Sequence, residues 1–194
     1  MFLTANKLTN QIYQMFYIAS TRFNNETHAA NMAYRKKTGD PVIYGTNIRI
    51  QGKYDPGSLM FVIEMNNDEN RIEGIGLIRN TLIFEKKHNI YENSDYNRYI
   101  YRGDYWLSRQ QLEEIDAELV EICELVSFKG KSHLKRLSGI SVITKQLFTN
   151  WDYCFYKMKA KIRGAFIKVF KSNTNIISET NLKNLSDKED EAEL

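Results

Sequence analysis

The sequence predicts an α+β fold, with a small, mostly antiparallel sheet between residues 42 and 107 packed by helices at 108–126 and 142–170. Three observations predict it. Short apolar blocks separated by turn residues fill 42–107, whereas from 108 onward the apolar residues recur at steps of three and four. Helix-stop and turn chemistry, Gly39 followed by Asp40-Pro41, precedes the first region. A capping pattern, Ser108-Arg109-Gln110-Gln111, opens the second. The 194 residues suffice for one domain with a substantial core. They divide into a helical segment at 1–41, an α+β core with a C-terminal helix at 42–171, and a tail at 172–194.

Taken in order, Ile12, Met15, Phe16 and Ala19 recur at helical spacing and predict a short helix. A second helix is expected at 25–37, rich in Ala29, Ala30 and Ala33 and stopped by Gly39. Its terminal Arg35, Lys36 and Lys37 read as a solvated last turn favoured by the helix dipole, or else as a binding patch. From Val42, VIYGTNIRI is strand-like, and Tyr54-Asp55-Pro56-Gly57-Ser58 is a turn. LMFVIEM at 59–65 and IEGIGLI at 72–78 flank a polar turn and predict a hairpin, which 82–85 extends. Gly74 and Gly76 weaken the second strand, so they mark a bulge or the close approach of another group.

The tyrosine-dense segment 89–106 predicts two short strands around Gly103-Asp104. Its rings, with Arg98 and Arg102 among them, either stack on bases or pack across a sheet face. The helix at 108–126 sets Leu112, Ile115, Leu119, Ile122 and Val126 on one face and six carboxylates on the other, a solvated face. A long basic helix is expected at 142–170, with Leu147, Trp151, Cys154, Met158, Ile162, Ala165 and Val169 as its stripe. The tail turns polar and then acidic without periodicity, a composition that predicts disorder.

Charge locates the best candidate for a contact surface. The formal net charge of +3 divides into −3 for residues 171–194, with three Lys against six acidic residues, and +6 for the rest. Within FKGKSHLKRLSGI at 128–140, Lys129, Lys131, Lys135 and Arg136 cluster between Gly130 and Gly139, with Ser132 and His133 as hydrogen-bond donors. Such a loop suits phosphate or another polyanion. Arg79, Arg102, Tyr105 and Trp106 complete the expected nucleic-acid-binding set.

Catalytic chemistry finds no footing. Gly130-Lys131-Ser132 matches half of a phosphate-binding loop, but Leu125 stands where the first glycine is needed and a helix where the strand should precede it. His28, His88 and His133 are scattered, no metal-ligand spacing occurs, and no nucleophile elbow is present, so no catalytic residue, metal or cofactor is expected. Cys123 and Cys154 lie on apolar stripes and read as reduced, buried residues. No apolar run approaches a membrane span or a signal peptide, which predicts an intracellular protein with no membrane partner. The 18 Asn, 20 Ile and 17 Lys have AT-rich codons and imply an AT-rich genome, as in many large DNA viruses.

Phe61-Val62-Ile63-Glu64, a polar turn, and then Ile72 to Ile78 with its two glycines resemble the PUA-like superfamily that includes the EVE, YTH and ASCH domains. Tyr105-Trp106-Leu107 leading into a helix extends the resemblance, which spans roughly residues 42 to 140. The resemblance implies a β-barrel flanked by helices and the binding of RNA or modified bases in an aromatic-lined pocket. The segment 128–139 also resembles proteins of large DNA viruses. Two functions are therefore expected: non-catalytic binding of DNA or RNA through the basic loop and aromatic residues, or assembly through the same charged faces with a protein partner or a second copy.

Overall fold

The computed structural model describes residues 15–84, 87–129, 133–149 and 153–170. It is α+β. Its centre is β3 (Leu59–Asn66), whose eight residues are all buried, paired with β4 (Arg71–Arg79) in the expected hairpin. Asn70 closes that hairpin at φ 52°, a left-handed position that asparagine tolerates. On its other side β3 pairs in parallel with β1 (Phe16–Phe23), Phe16 opposite Leu59 and Phe23 opposite Asn66. The short helix expected here is therefore a strand. A strand inside a sheet buries both faces and shows no alternation, so the three-residue step from Phe16 to Ala19 carried no helical information.

A parallel pair needs a crossover, and α1 (Asn25–Thr38) begins it. Asn24 caps the helix, its Oδ1 accepting from the Thr27 N–H at 2.8 Å while Thr27 Oγ1 accepts from the Asn24 N–H at 3.0 Å. Gly39 ends it at φ 76°, as expected. The chain then forms β2 (Val42–Thr46), which pairs with β5 (Tyr99–Gly103) in a separate two-stranded sheet. Next come β6 (Tyr105–Ser108) beside β4, α2 (Arg109–Phe128), and the short edge strand β7 (Ser141–Val142) beside β1. Strand order in the larger sheet is β6-β4-β3-β1-β7, and these five strands do not close into a barrel. Residues 82–84 add no strand, although the Ile83 N–H bonds the Ile100 carbonyl at 3.0 Å.

β5 and β6 flank Gly103-Asp104 as expected but join different sheets. Gly103 permits this, because a Cβ there would collide with the Leu77 carbonyl. The long helix expected at 142–170 is shorter. Ser141–Val142 is strand, Lys145–Phe148 is a 3-10 turn, and α3 occupies 155–170. None of the helices among the described residues is long and apolar enough to cross a membrane.

Each face of the larger sheet carries its own core. On one side Phe61, Ile63, Ile72, Ile75 and Leu77 meet α2 and α3 through Leu119, Ile122, Met158, Ile162 and Phe166. On the other, Ala19, Met60, Val62 and Ile78 meet the small sheet through Val42, Tyr44, Ile100 and Tyr101. The two helices are also joined by charge. Lys161 Nζ contacts Asp116 at 2.6 Å and Glu118 at 2.8 Å, and Lys157 contacts Glu118 at 3.0 Å. Asp116 interrupts α2 with extended backbone, φ −164° and ψ 88°, and caps its second half by accepting from the Leu119 N–H at 3.2 Å. The acidic face of α2 is therefore not simply solvated.

The second core encloses a charge. Glu64 on β3 and Arg35 on α1 form an ion pair, 0% and 5% exposed. Tyr44 Oη donates to Glu64 Oε1 at 2.6 Å and Trp106 Nε1 donates to Oε2 at 3.0 Å. The Arg35 guanidinium lies 5.4 Å from the Tyr44 ring centre and 5.5 Å from that of Trp106. Arg35 is thus a core residue, contrary to its reading as part of a solvated turn. Burial and the neighbouring carboxylate push the Tyr44 phenol well up, so it stays a neutral donor. Gly74 and Gly76 make room for these rings. A Cβ at Gly74 would lie 2.8 Å from Trp106 Nε1, and one at Gly76 would collide with Tyr44 Oη. Gly76→Ala is expected to destabilise the fold by about 1–3 kcal/mol through overpacking. Urea unfolding at neutral pH checks this, and an unchanged midpoint would contradict the packing described.

Candidate nucleic-acid interface

A cleft of about 270 Å³ opens where β1 ends and α1 begins. Thr21, Arg22 and Phe23 come from β1, Asn24 and Thr27 from the helix entry, and Gly45, Thr46 and Asn47 from the end of β2. Asn67, Tyr91, Tyr96, Ser138 and Gly139 complete the wall. This is the carboxyl end of the parallel pair β1 and β3.

Local hydrogen bonds set its aromatic side. Asn97 Oδ1 accepts from the N–H groups of Ile90 and Tyr91 at 2.9 and 3.0 Å, and its Nδ2 donates to the Tyr91 carbonyl at 2.7 Å. That staple holds Tyr91 and Tyr96 edge to face, 6.2 Å apart at 83°. Tyr91 Oη accepts from Asn31 Nδ2 at 3.0 Å. Burial pushes its phenol up, so Tyr91 remains neutral. A Cβ at Gly45 would reach to 3.1 Å from the Tyr91 ring and collide with the Tyr96 carbonyl, so glycine lets β2 pass beneath.

At the helix entry the capping box uses the Asn24 and Thr27 N–H groups, and the Asn25 N–H bonds Asp68 Oδ2 at 2.9 Å. The hydroxyls of Thr27 and Thr46 are also engaged, Thr46 Oγ1 donating to the Ile48 carbonyl at 2.7 Å. Two buried amide oxygens in the wall, Asn47 Oδ1 and Asn67 Oδ1, have no hydrogen-bond partner among the described residues. Asn67 is oriented by its Nδ2, which donates to the Lys135 carbonyl at 3.1 Å. Ile48, Tyr96 and Leu137 leave apolar surface exposed around the cleft.

The basic loop abuts this cleft. The Lys135 carbonyl accepts from Asn67 and also from Arg22 at 3.1 Å, both of them cleft residues. Lys135 Nζ reaches Asn70 Oδ1 at 2.5 Å and lies 5.9 Å from the Phe128 ring centre, and Arg136 is exposed. His133 caps the 3-10 turn Leu134–Arg136 and is half-buried, while Lys129 ends α2 and is exposed. Gly130, Lys131 and Ser132 lie outside the described residues. Gly139 takes φ 66°, and a Cβ there would press on Ile48 at 2.8 Å.

The other expected site residues lie elsewhere. Arg79, Arg102 and Tyr105 line a second groove of about 300 Å³ at the opposite end of β3 and β4. Seven strand residues separate the two ends, about 23 Å, so the two groups cannot share one small ligand. Arg79 donates to the Gly57 carbonyl at 2.9 Å, Arg102 lies 3.6 Å from Asp40, and the Tyr105 ring packs on Phe170 at 4.9 Å. Trp106 serves Glu64 in the core. The expected set is therefore corrected: Arg79, Arg102, Tyr105 and Trp106 do not join the loop. Tyr91, Tyr96, Asn47 and Asn67 do stand beside it, though only the two tyrosines carried a signal, as members of the aromatic segment. Comparison with family models, curated proteins and solved structures found no match to this chain.

Proposed function

We propose that this protein binds nucleic acid without catalysis, seating one base in the cleft between Tyr91, Tyr96 and the end of β1 while Arg22 and the basic loop meet the flanking phosphates. The observation that carries the reading is the double bond from Arg22 and Asn67 to the Lys135 carbonyl, which ties the loop bearing four cations to the wall of an aromatic cleft. A volume just under the ~300–1,000 Å³ usual for ligand pockets suits a base better than a whole nucleotide. Aromatic faces beside cations are the recurring chemistry of single-strand binding. The resemblance to the PUA-like superfamily implies the same ligand class and belongs to this proposal. Assembly through the charged faces is less favoured, because Lys157, Lys161 and Arg109 already meet carboxylates of α2 within the chain.

Fluorescence anisotropy with labelled mixed-sequence single-stranded DNA and RNA, read across a salt series, tests the reading. Affinity is expected to fall steeply with salt, about 0.7 units of log–log slope for each phosphate met. Tyr96→Ala, at a partly exposed ring, should weaken binding about 5- to 100-fold with the salt slope unchanged, because it removes stacking and no charge. Absent or salt-insensitive binding, with self-association in sedimentation, would favour the assembly reading instead.

A further inference from the structure

We infer that the acidic segment at 187–193 docks on the cations beside the cleft when no nucleic acid is bound, and so competes with incoming phosphates. The inference rests on the nucleic-acid reading above. Asp187, Glu189, Asp190, Glu191 and Glu193 stand against Lys188 alone, a net charge of −4. Facing them in sign are Arg22, Lys129 and Arg136, all exposed, and the half-buried Lys135. None of these four meets a carboxylate among the described residues, whereas Arg71, Arg98, Arg109, Lys157 and Lys161 each do. Arg22 Nη1 donates to the Lys135 carbonyl and Lys135 Nζ to Asn70 Oδ1, and both side chains have further N–H groups for an anion. Asp68 and Glu69, in the same turn as Asn70, are bonded to Asn25 instead.

The reach fits. α3 ends at Phe170, whose ring packs on Tyr105; Tyr105 sits opposite Leu77 on β4, and Leu77 opposite Phe61 on β3. From Phe61 to Asn67, which holds the Lys135 carbonyl, the chain advances six residues, about 20 Å. The acidic segment follows Phe170 by 17 to 23 residues and lies outside the described ones. A coil of that many residues spans about 21–29 Å. A tether whose ordinary span matches the gap gives the highest effective concentration. Lys36 and Lys37, in the last turn of α1, form a rival patch with two charges in place of four.

The test compares the full chain with a full-length variant carrying Asp187→Asn, Glu189→Gln, Asp190→Asn, Glu191→Gln and Glu193→Gln, with thermal melting to verify folding. Two readouts are taken. Mixed-sequence single-stranded DNA and RNA should bind the variant about 3- to 30-fold more tightly at low salt, the scale of a few exposed ion pairs made within one chain. That gain should shrink as salt rises, because exposed charges are screened. Without any oligonucleotide, backbone amide shifts at 22, 129 and 133–136 should differ between the two chains. Tighter binding with those amides silent would mean long-range repulsion without docking and overturns the inference, as do changes centred on Lys36 and Lys37. Equal affinity overturns it too and leaves the base-binding reading intact. No binding by either chain overturns both.

Discussion

Arg35→Met is expected to destabilise the protein by about 3–5 kcal/mol, the usual cost of leaving one partner of a buried ion pair uncompensated. Glu64 is fully shielded, and with Arg35 gone its carboxylate keeps only the Tyr44 and Trp106 donors, both neutral. Glu64 must then either remain charged in the core or take up a proton, and each costs stability. The pair also ties α1 to β3, so its loss loosens the crossover that positions the cleft's helix entry. Removing both charges together, Arg35→Met with Glu64→Leu, should recover much of the loss, since apolar replacements of buried pairs are often neutral. Urea unfolding of the two single variants and the double variant measures the coupling. A loss under about 1 kcal/mol for Arg35→Met would mean that the pair is solvated and the core described here is wrong.

Replacing Lys129, Lys131, Lys135 and Arg136 with alanine is expected to weaken oligonucleotide binding at least about tenfold at moderate salt, across all sequences alike. If all four meet phosphates of a single strand, the log–log salt slope should shrink by about 3 units, at roughly 0.7 per contact. The competing role for these cations, neutralising the acidic face of α2, has no ion pair behind it among the described residues: α2 carboxylates meet Arg109, Lys157 and Lys161. Thermal stability of the quadruple variant should therefore stay near that of the parent. Unchanged affinity with a lowered melting temperature would reverse the assignment.

The parts of the fold that depend on short-range chemistry were legible in the sequence. Gly39 as a helix stop, the Ser108 to Gln111 box, and the β3–β4 hairpin each rest on residues a few positions apart. Gly74 and Gly76 told of a close approach, but not of Tyr44 and Trp106, which arrive from 30 or more residues away. Glu64 within an apolar strand was the one visible sign of a buried partner, and Arg35 looked like an ordinary helix-end cation. β1 was misread because a strand flanked by a parallel partner needs no alternation. The cleft was the least legible feature. Its wall is gathered from six separate stretches, mostly Thr, Asn, Ser and Gly, whose significance comes only from juxtaposition. The loop beside it was visible because charge needs no fold to be counted.

The central claim, that a base enters at the carboxyl end of β1, is tested most directly by titrating the isotopically labelled protein with a short single-stranded oligonucleotide and following backbone amide shifts. The account predicts that the largest changes fall on residues 21–24, 45–47, 91–97 and 133–139. Changes centred on Arg79, Arg102 and Tyr105 at the far end of the sheet, with the cleft silent, would contradict it.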